Sequence, residues 1–215
     1  MRKKVALFDF DGTIAASVQA GVSVFNEMAR KHGFLEITPE KIPALREKGA
    51  RQAARELRIP RLKIPMVVRR LRKGVKNQIS MIAPVEGVKP ILVALKKNGC
   101  ELGIVTSNSK ANVRAFLRNN KLEIFDYINA GSGIFYKAAA IGKTVARHRL
   151  KGHEIIFVGD EIRDVIAARK NKMTIVAVTW GANSRKGLEK ENADFIVDTV
   201  EELAAILMDF CEMSA

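Results

Sequence analysis

Val5-Ala6-Leu7-Phe8-Asp9-Phe10-Asp11-Gly12-Thr13 decides the fold. Four consecutive apolar residues read as a buried strand. At its carboxyl end stand two acids two residues apart, followed by Gly-Thr at a turn. Burying carboxylates beside a strand is costly unless a cation or another positive group compensates them. The stretch therefore points to a metal site, to a nucleophile with its acid/base partner, or to both.

Working outward, strands and helices alternate from Pro84 onward. The periodicity predicts helices over 88–98, 110–119, 138–148 and 165–170, and a last one beginning at Glu201. It predicts strands over 101–105, 127–129, 155–158, 174–178 and 195–197. Such alternation makes a parallel sheet with helices on both faces, an α/β doubly wound fold. Between Ile14 and Val85 there is no strand signal, only helical spacing. Val18, Val22, Phe25, Met28 and Ala29 mark one helix, ending near Gly33. Thr38-Pro39-Glu40 is a helix start, with Thr38 as N-cap. Residues 45–57 are helical but interrupted by Gly49, and Pro65 opens a further helix over 66–80.

Sites in doubly wound sheets form beyond the carboxyl ends of the strands, so other polar motifs should follow other strands. Gly103-Ile104-Val105 is followed by Thr106-Ser107-Asn108, which is also a good helix N-cap. Ile155-Ile156-Phe157-Val158 is followed by Gly159-Asp160-Glu161-Ile162-Arg163-Asp164, where Asp164 falls one helical turn after Asp160 on the same face. Gly142-Lys143-Thr144 mimics the end of a phosphate-binding loop, but the glycine needed at position 137 is Lys. His32, His148 and His153 lack metal-ligand spacing.

The chain has 215 residues, 47% of them hydrophobic, enough for a real core. Cys100 and Cys211 make no disulfide framework and are expected as reduced thiols of a cytoplasmic protein. No apolar stretch is long enough for a spanning helix, and the apolar run after Met1-Arg2-Lys3-Lys4 stops at Asp9, too early for a secretory signal. The net charge is +14, and residues 14–85 hold +10 of it, with fifteen Lys/Arg against five Asp/Glu. That field favours anionic partners or simply solvates the surface.

The ordered motifs resemble those of the haloacid dehalogenase-like superfamily, in its phosphoglycolate phosphatase-like branch, over nearly the whole chain. Val176 to Gly181 and Asn192 to Asp198 resemble the close of that family's core. The resemblance implies a Rossmann-like core at 1–15 and 84–215 and a small helical cap at 16–83, with hinges near 15–17 and 82–86. It implies hydrolysis of small phosphomonoesters (phosphoglycolate-like, sugar or nucleotide phosphates) with Mg²⁺. Asp9 would be the nucleophile, forming an aspartyl-phosphate, and Asp11 the general acid/base. Thr106, with backbone N–H groups near Ser107 and Asn108, would hold the phosphate. Lys137 would compensate the carboxylates, with Lys143 as its rival. Mg²⁺ would be bound by Asp9, Asp160 and the backbone carbonyl of Asp11, with Asp164 supporting the site; Glu161 is an alternative helper but is expected to face solvent. Arg51, in the cap, would fork onto a carboxylate or second phosphate of the substrate, or simply be solvated.

The chain departs from the family pattern twice. Lys137-Ala138-Ala139-Ala140 replaces the common Lys-Pro-x-Pro, and Ala16 stands where relatives often carry an acid. The expected partner is a small phosphorylated metabolite, with no membrane, in a monomer or homodimer. Two other readings stay open: a phosphomutase on the same core, and a basic nucleic-acid-binding protein, which the intact Asp9, Asp11 and Asp160 disfavour.

Overall fold

The structure is a computed structural model that describes residues 4–131 and 136–212. The basic start Met1-Arg2-Lys3 and the run Gly133-Ile134-Phe135 before Lys137 lie outside the described residues.

Among the described residues six strands form one sheet: β1 (Val5–Phe8), β2 (Glu101–Thr106), β3 (Tyr127–Ala130), β4 (Ile155–Gly159), β5 (Thr174–Val178) and β6 (Phe195–Val197). Their order is β3-β2-β1-β4-β5-β6, and every pair is parallel. The helices are α1 (Val18–His32), α2 (Ile42–Arg46), α3 (Ala50–Glu56), α4 (Ile64–Gln78), α5 (Val88–Lys97), α6 (Lys110–Asn119), α7 (Lys137–Arg147), α8 (Ile162–Lys170), α9 (Arg185–Glu189) and α10 (Val200–Glu212). This is the doubly wound α/β fold the alternation predicts.

Period-two alternation divides each strand between two apolar layers. Ala6 and Phe8 face a layer built with Leu92 and Leu95 of α5, Phe116 of α6 and Leu207 of α10. Val5 and Leu7 face the other, built with Ile141 of α7, Val165 of α8 and Leu188 of α9. A third, separate cluster joins Phe25, Met28 and Ala29 of α1 to Phe34 just after it, to Leu57 at the end of α3 and to Val67 of α4. There α1 and α4 approach closely: a Cβ on Gly74 would collide with the Val24 side chain. The two crossings between the sheet and the helical segment are stitched side by side. Ala16 N donates to Ala83 O at 3.0 Å and Val85 N to Ile14 O at 2.8 Å.

Several local expectations change. Residues 45–57 are not one helix: α2 ends at Arg46, and Gly49, extended, caps the start of α3. Thr38 does stand at an N-cap, but of a 3-10 turn, and its hydroxyl makes no capping bond. The capping role after β2 falls to Ser109, whose hydroxyl accepts from Asn112 N, rather than to Thr106-Ser107-Asn108. The five-residue α9 carries too short a period to be read from sequence. Val18, placed on the apolar face of α1, is 38% exposed.

Candidate active site

The register of three adjacent strands builds the site. Phe8 pairs with Ile104 of β2 and Val158 of β4, so the residues at and just beyond the ends of these strands converge at one edge of the sheet. Asp9, Thr106 and Asp160 arrive there side by side, and each is buried to 1% exposure or less.

Asp9 accepts from the Phe10 backbone N–H at 2.7 Å through Oδ1. Its Oδ2 lies 2.5 Å from Lys137 Nζ. The same ammonium lies 2.6 Å from Asp164 Oδ1, and it sits over the Phe157 ring. Lys137 is the first residue of α7 and is buried. Burial alone would lower its pKa, but Asp164 and Asp9 outweigh that and hold it above the ordinary lysine value. Lys143, two turns along α7, is exposed. The packing thus brings Lys137, and not its rival, to the carboxylates.

Asp160 is locked from two sides. Its Oδ1 accepts from Thr13 Oγ1 at 2.7 Å and its Oδ2 from Ala182 N at 2.7 Å. Gly12, at φ +80°, faces it directly, and a Cβ at Gly12 or Gly181 would run into its carboxylate. Burial, then Glu161, Asp9 and Asp164, push the Asp160 carboxyl well above the ordinary carboxylate range. Asp164 accepts from Glu161 N at 3.1 Å in a reciprocal capping box at the start of α8. Burial lifts its pKa to about 6, against the opposing pull of Lys137. Glu161 is half-buried and paired with Arg163 at 2.5 Å, rather than fully turned to solvent.

Asp11 stands apart from this cluster. It accepts from Ser17 Oγ at 2.8 Å and from Asn108 Nδ2 at 2.9 Å. Burial and the neighbouring Asp9 raise its pKa to about 6, while Ser17 and Asn108 pull it down. An acid poised near neutrality can both give and take a proton.

Asn108 does more than a helix-start residue would. Its backbone N–H donates to Thr106 Oγ1 at 3.0 Å, and its amide is aimed at Asp11. Asn112 Nδ2 in turn donates to Asn108 Oδ1 at 2.8 Å, which sets the amide's orientation. Ser107 and Arg51 both border a cavity of about 410 Å³ whose floor carries Asp11, Asn108 and Asp160.

Sequence reasoning missed Thr13, Ser17, Ala182 and Asn183. Thr13 sits within the opening motif, so a signal existed. Asn183 had none: its Oδ1 accepts from Ile162 N, and its Nδ2 donates to Arg46 O at 2.8 Å and Lys48 O at 2.9 Å. One buried amide thus ties the loop after β5 to the start of α8 and to the helical segment.

Asp9, Asp160 and Asp164 each offer a carboxylate oxygen, and these oxygens all lie within 4.8 Å of one another. A hard-oxygen donor set of this kind, buried among like charges, fits a small divalent cation.

Comparison with known proteins agrees with this constellation. A family model described as haloacid dehalogenase-like hydrolase matches residues 6–178. A phosphoglycolate phosphatase of Synechococcus elongatus is 32% identical over 92% of this chain and 93% of its own. The pyrophosphatase PpaX of Bacillus thuringiensis is 24% identical over 97% of this chain and 98% of its own. The structure of a haloacid dehalogenase-like family hydrolase from Streptococcus pneumoniae superposes with a TM-score of 0.79, covering 95% of this chain and 98% of that one at 21% identity. The strand-end acids, their shared lysine and these similarities lead to one conclusion: the chain belongs to the haloacid dehalogenase-like hydrolase family.

Proposed function

We propose that this enzyme is a Mg²⁺-dependent phosphatase that hydrolyses small phosphomonoesters through an aspartyl-phosphate on Asp9. The observation that carries this is the division of labour between two neighbouring acids. Asp9 is buried and ion-paired, whereas Asp11 is hydrogen-bonded by neutral groups and poised near pH 6.

In the first step an Asp9 carboxylate oxygen forms a bond to phosphorus as the bond to the ester oxygen breaks. Asp11 gives its proton to the departing alkoxide, which leaves as the alcohol. Asp11, now ionised, takes a proton from water, whose oxygen attacks the aspartyl-phosphate and releases phosphate. Lys137 compensates negative charge beside Asp9 throughout. Thr106 stands at the end of β2, next to the transferred group. Asp9 and Asp160, with the backbone carbonyl of Asp11, would hold the metal, and Asp164 would support it while it pairs with Lys137. When bound, the metal supplies positive charge against the phosphoryl oxygens. Residues 16–83 act as a cap over a core of 1–15 and 84–215, limiting water access and selecting the leaving group.

The test is phosphate release with Mg²⁺ from a panel of phosphomonoesters that includes phosphoglycolate, sugar phosphates and nucleotides. Asp9→Asn would run in parallel, and ³²P-labelled substrate would be chased with acid quench to trap the acyl phosphate. Turnover by the wild type alone, with label on protein, is the expected result. Turnover that survives Asp9→Asn would overturn the reading.

A further inference from the structure

The cavity above Asp11 has a polar floor and apolar walls. Asp11, Ser107, Asn108 and Asp160 lie at one end. The walls come from three helices: Val22 and Phe25 of α1, Ala54 and Leu57 at α3, and Val68 and Leu71 of α4. Val18, left 38% exposed on α1, borders the same space. The volume of about 410 Å³ lies within the ~300–1,000 Å³ typical of pockets that enclose drug-sized molecules. A two-carbon acid, the leaving group named for the Synechococcus relative, would fill little of it. A sugar or nucleoside would press hydroxyl groups against Val, Phe and Leu side chains that offer no hydrogen bond, which is unfavourable.

We infer that the enzyme selects phosphomonoesters of bulky apolar alcohols, with the phosphoryl group at Asp9 and the hydrocarbon body between α1, α3 and α4. This rests on the phosphatase reading and narrows its substrate class. Arg51 and Arg72 border the same cavity, as do the acids Asp11, Asp160 and Glu161, so charge is confined to a few positions on an otherwise apolar lining.

The n-alkyl phosphates test this at nearly constant leaving-group chemistry. With Mg²⁺ present, kcat/KM for ethyl, butyl and hexyl phosphate should rise by about threefold to fourfold per methylene, as expected for burial of each CH₂. Hexyl phosphate should exceed phosphoglycolate and glucose 6-phosphate by at least about tenfold. Ala54→Trp, which fills the cavity, should flatten the ethyl-to-hexyl gradient. Because that variant is at risk of misfolding, binding of the matching alkylphosphonates to the wild type, measured by calorimetry, provides a second readout and should tighten along the same series. A flat or falling series, with phosphoglycolate or ethyl phosphate still hydrolysed, overturns the inference and leaves the phosphatase reading intact. No phosphate from any ester, with phosphonates still binding by chain length, sinks the phosphatase reading and keeps the apolar pocket.

At the far side of the sheet, Cys100 and Cys211 Sγ lie 2.6 Å apart, both buried, one just before β2 and the other in α10. That is about half an ångström longer than the ~2.05 Å of a disulfide bond and well inside the separation of non-bonded sulfurs. We propose that these two thiols form a disulfide when a small-molecule disulfide such as oxidised glutathione is present. The Cys211 thiolate attacks that disulfide and expels one glutathione thiolate. The Cys100 thiolate then attacks the mixed disulfide and expels the second, and the two cysteine protons end on the two glutathione thiols.

Refolding in oxidised glutathione should give an intact mass lower by two hydrogens. It should also remove both thiols from alkylation in denaturant and raise Tm by roughly 5–15 °C, reversed by reductant. None of these three changes should occur in Cys100→Ala or Cys211→Ala. Two alkylatable thiols in the oxidised wild type overturn the proposal.

Discussion

The sheet and the helical segment between β1 and β2 differ in what burial is used for. In the sheet and the helices packed on it, burial surrounds charge. Asp9, Lys137, Asp160 and Asp164 are almost fully enclosed, each held by a partner across the fold. Their positions are enforced by two apolar layers that contain Phe8, Phe116 and Phe157. In the helical segment, burial leaves room. One small cluster joins α1 to α4, and beside it lies the apolar cavity that faces the acids. Rigid strands with short loops are where reacting groups can be held to a fraction of an ångström. A thinly packed helical layer is where leaving-group shape can vary without disturbing them.

That contrast can be broken or sharpened by substitution. The largest effect is expected from Asp9→Asn, which should lower kcat by roughly 10⁴-fold or more while leaving the circular dichroism spectrum and Tm close to wild type. Residual turnover within tenfold of wild type would mean that the buried charges are structural. Lys137→Met should act on stability as well as rate. It leaves Asp9 and Asp164 buried without their shared cation, so unfolding free energy should fall by about 3–5 kcal/mol, read from denaturant titration. A loss below 1 kcal/mol would show that the two acids already share compensation from elsewhere.

A smaller effect is expected in the helical segment. Met28→Ala removes part of the α1–α4 cluster. It should cost about 2 kcal/mol, at the low end for buried methionine, because this thin layer can relax around the gap. Hydrogen exchange should accelerate across α1 and α4 and stay unchanged in β1, β2 and β4. Equal acceleration in both regions would show one cooperative unit.

The finest probe is Asn108→Ala. Asn108 donates to the ionised form of Asp11 and so lowers its pKa, which stands at about 6. Removing that donor should raise the pKa. On the proposed mechanism, the protonated acid that leaving-group departure needs then persists to higher pH. The descending alkaline limb of kcat should therefore shift upward by a few tenths of a pH unit to one unit. A shift to lower pH would mean that Asn108 acts on another group.

Much of this was already legible along the chain. Apolar runs of four or five residues ending in Asp9, Thr106 and Asp160, with helices between them, determine a parallel sheet whose carboxyl edge carries acids. That reading needs only period and local cost: a continuous apolar run must be buried, and acids at its end must find compensation. Asp11 followed by a turn, and Asp164 one helical turn after Asp160, are local relations of the same kind. Only the tertiary structure chose between Lys137 and Lys143, because both lie on α7 and the approach of its first residue to Asp9 and Asp164 decides which ammonium is enclosed. It alone joined Thr13 to Asp160 across 147 residues and turned the Asn108 amide onto Asp11. It also made Asn183 a tie between loop and helices, and it opened an apolar cavity where helical spacing promised only a packed face. A sequence pattern records which side of an element is buried; the partner met there depends on strand register and helix packing, which residues far apart in the chain settle together.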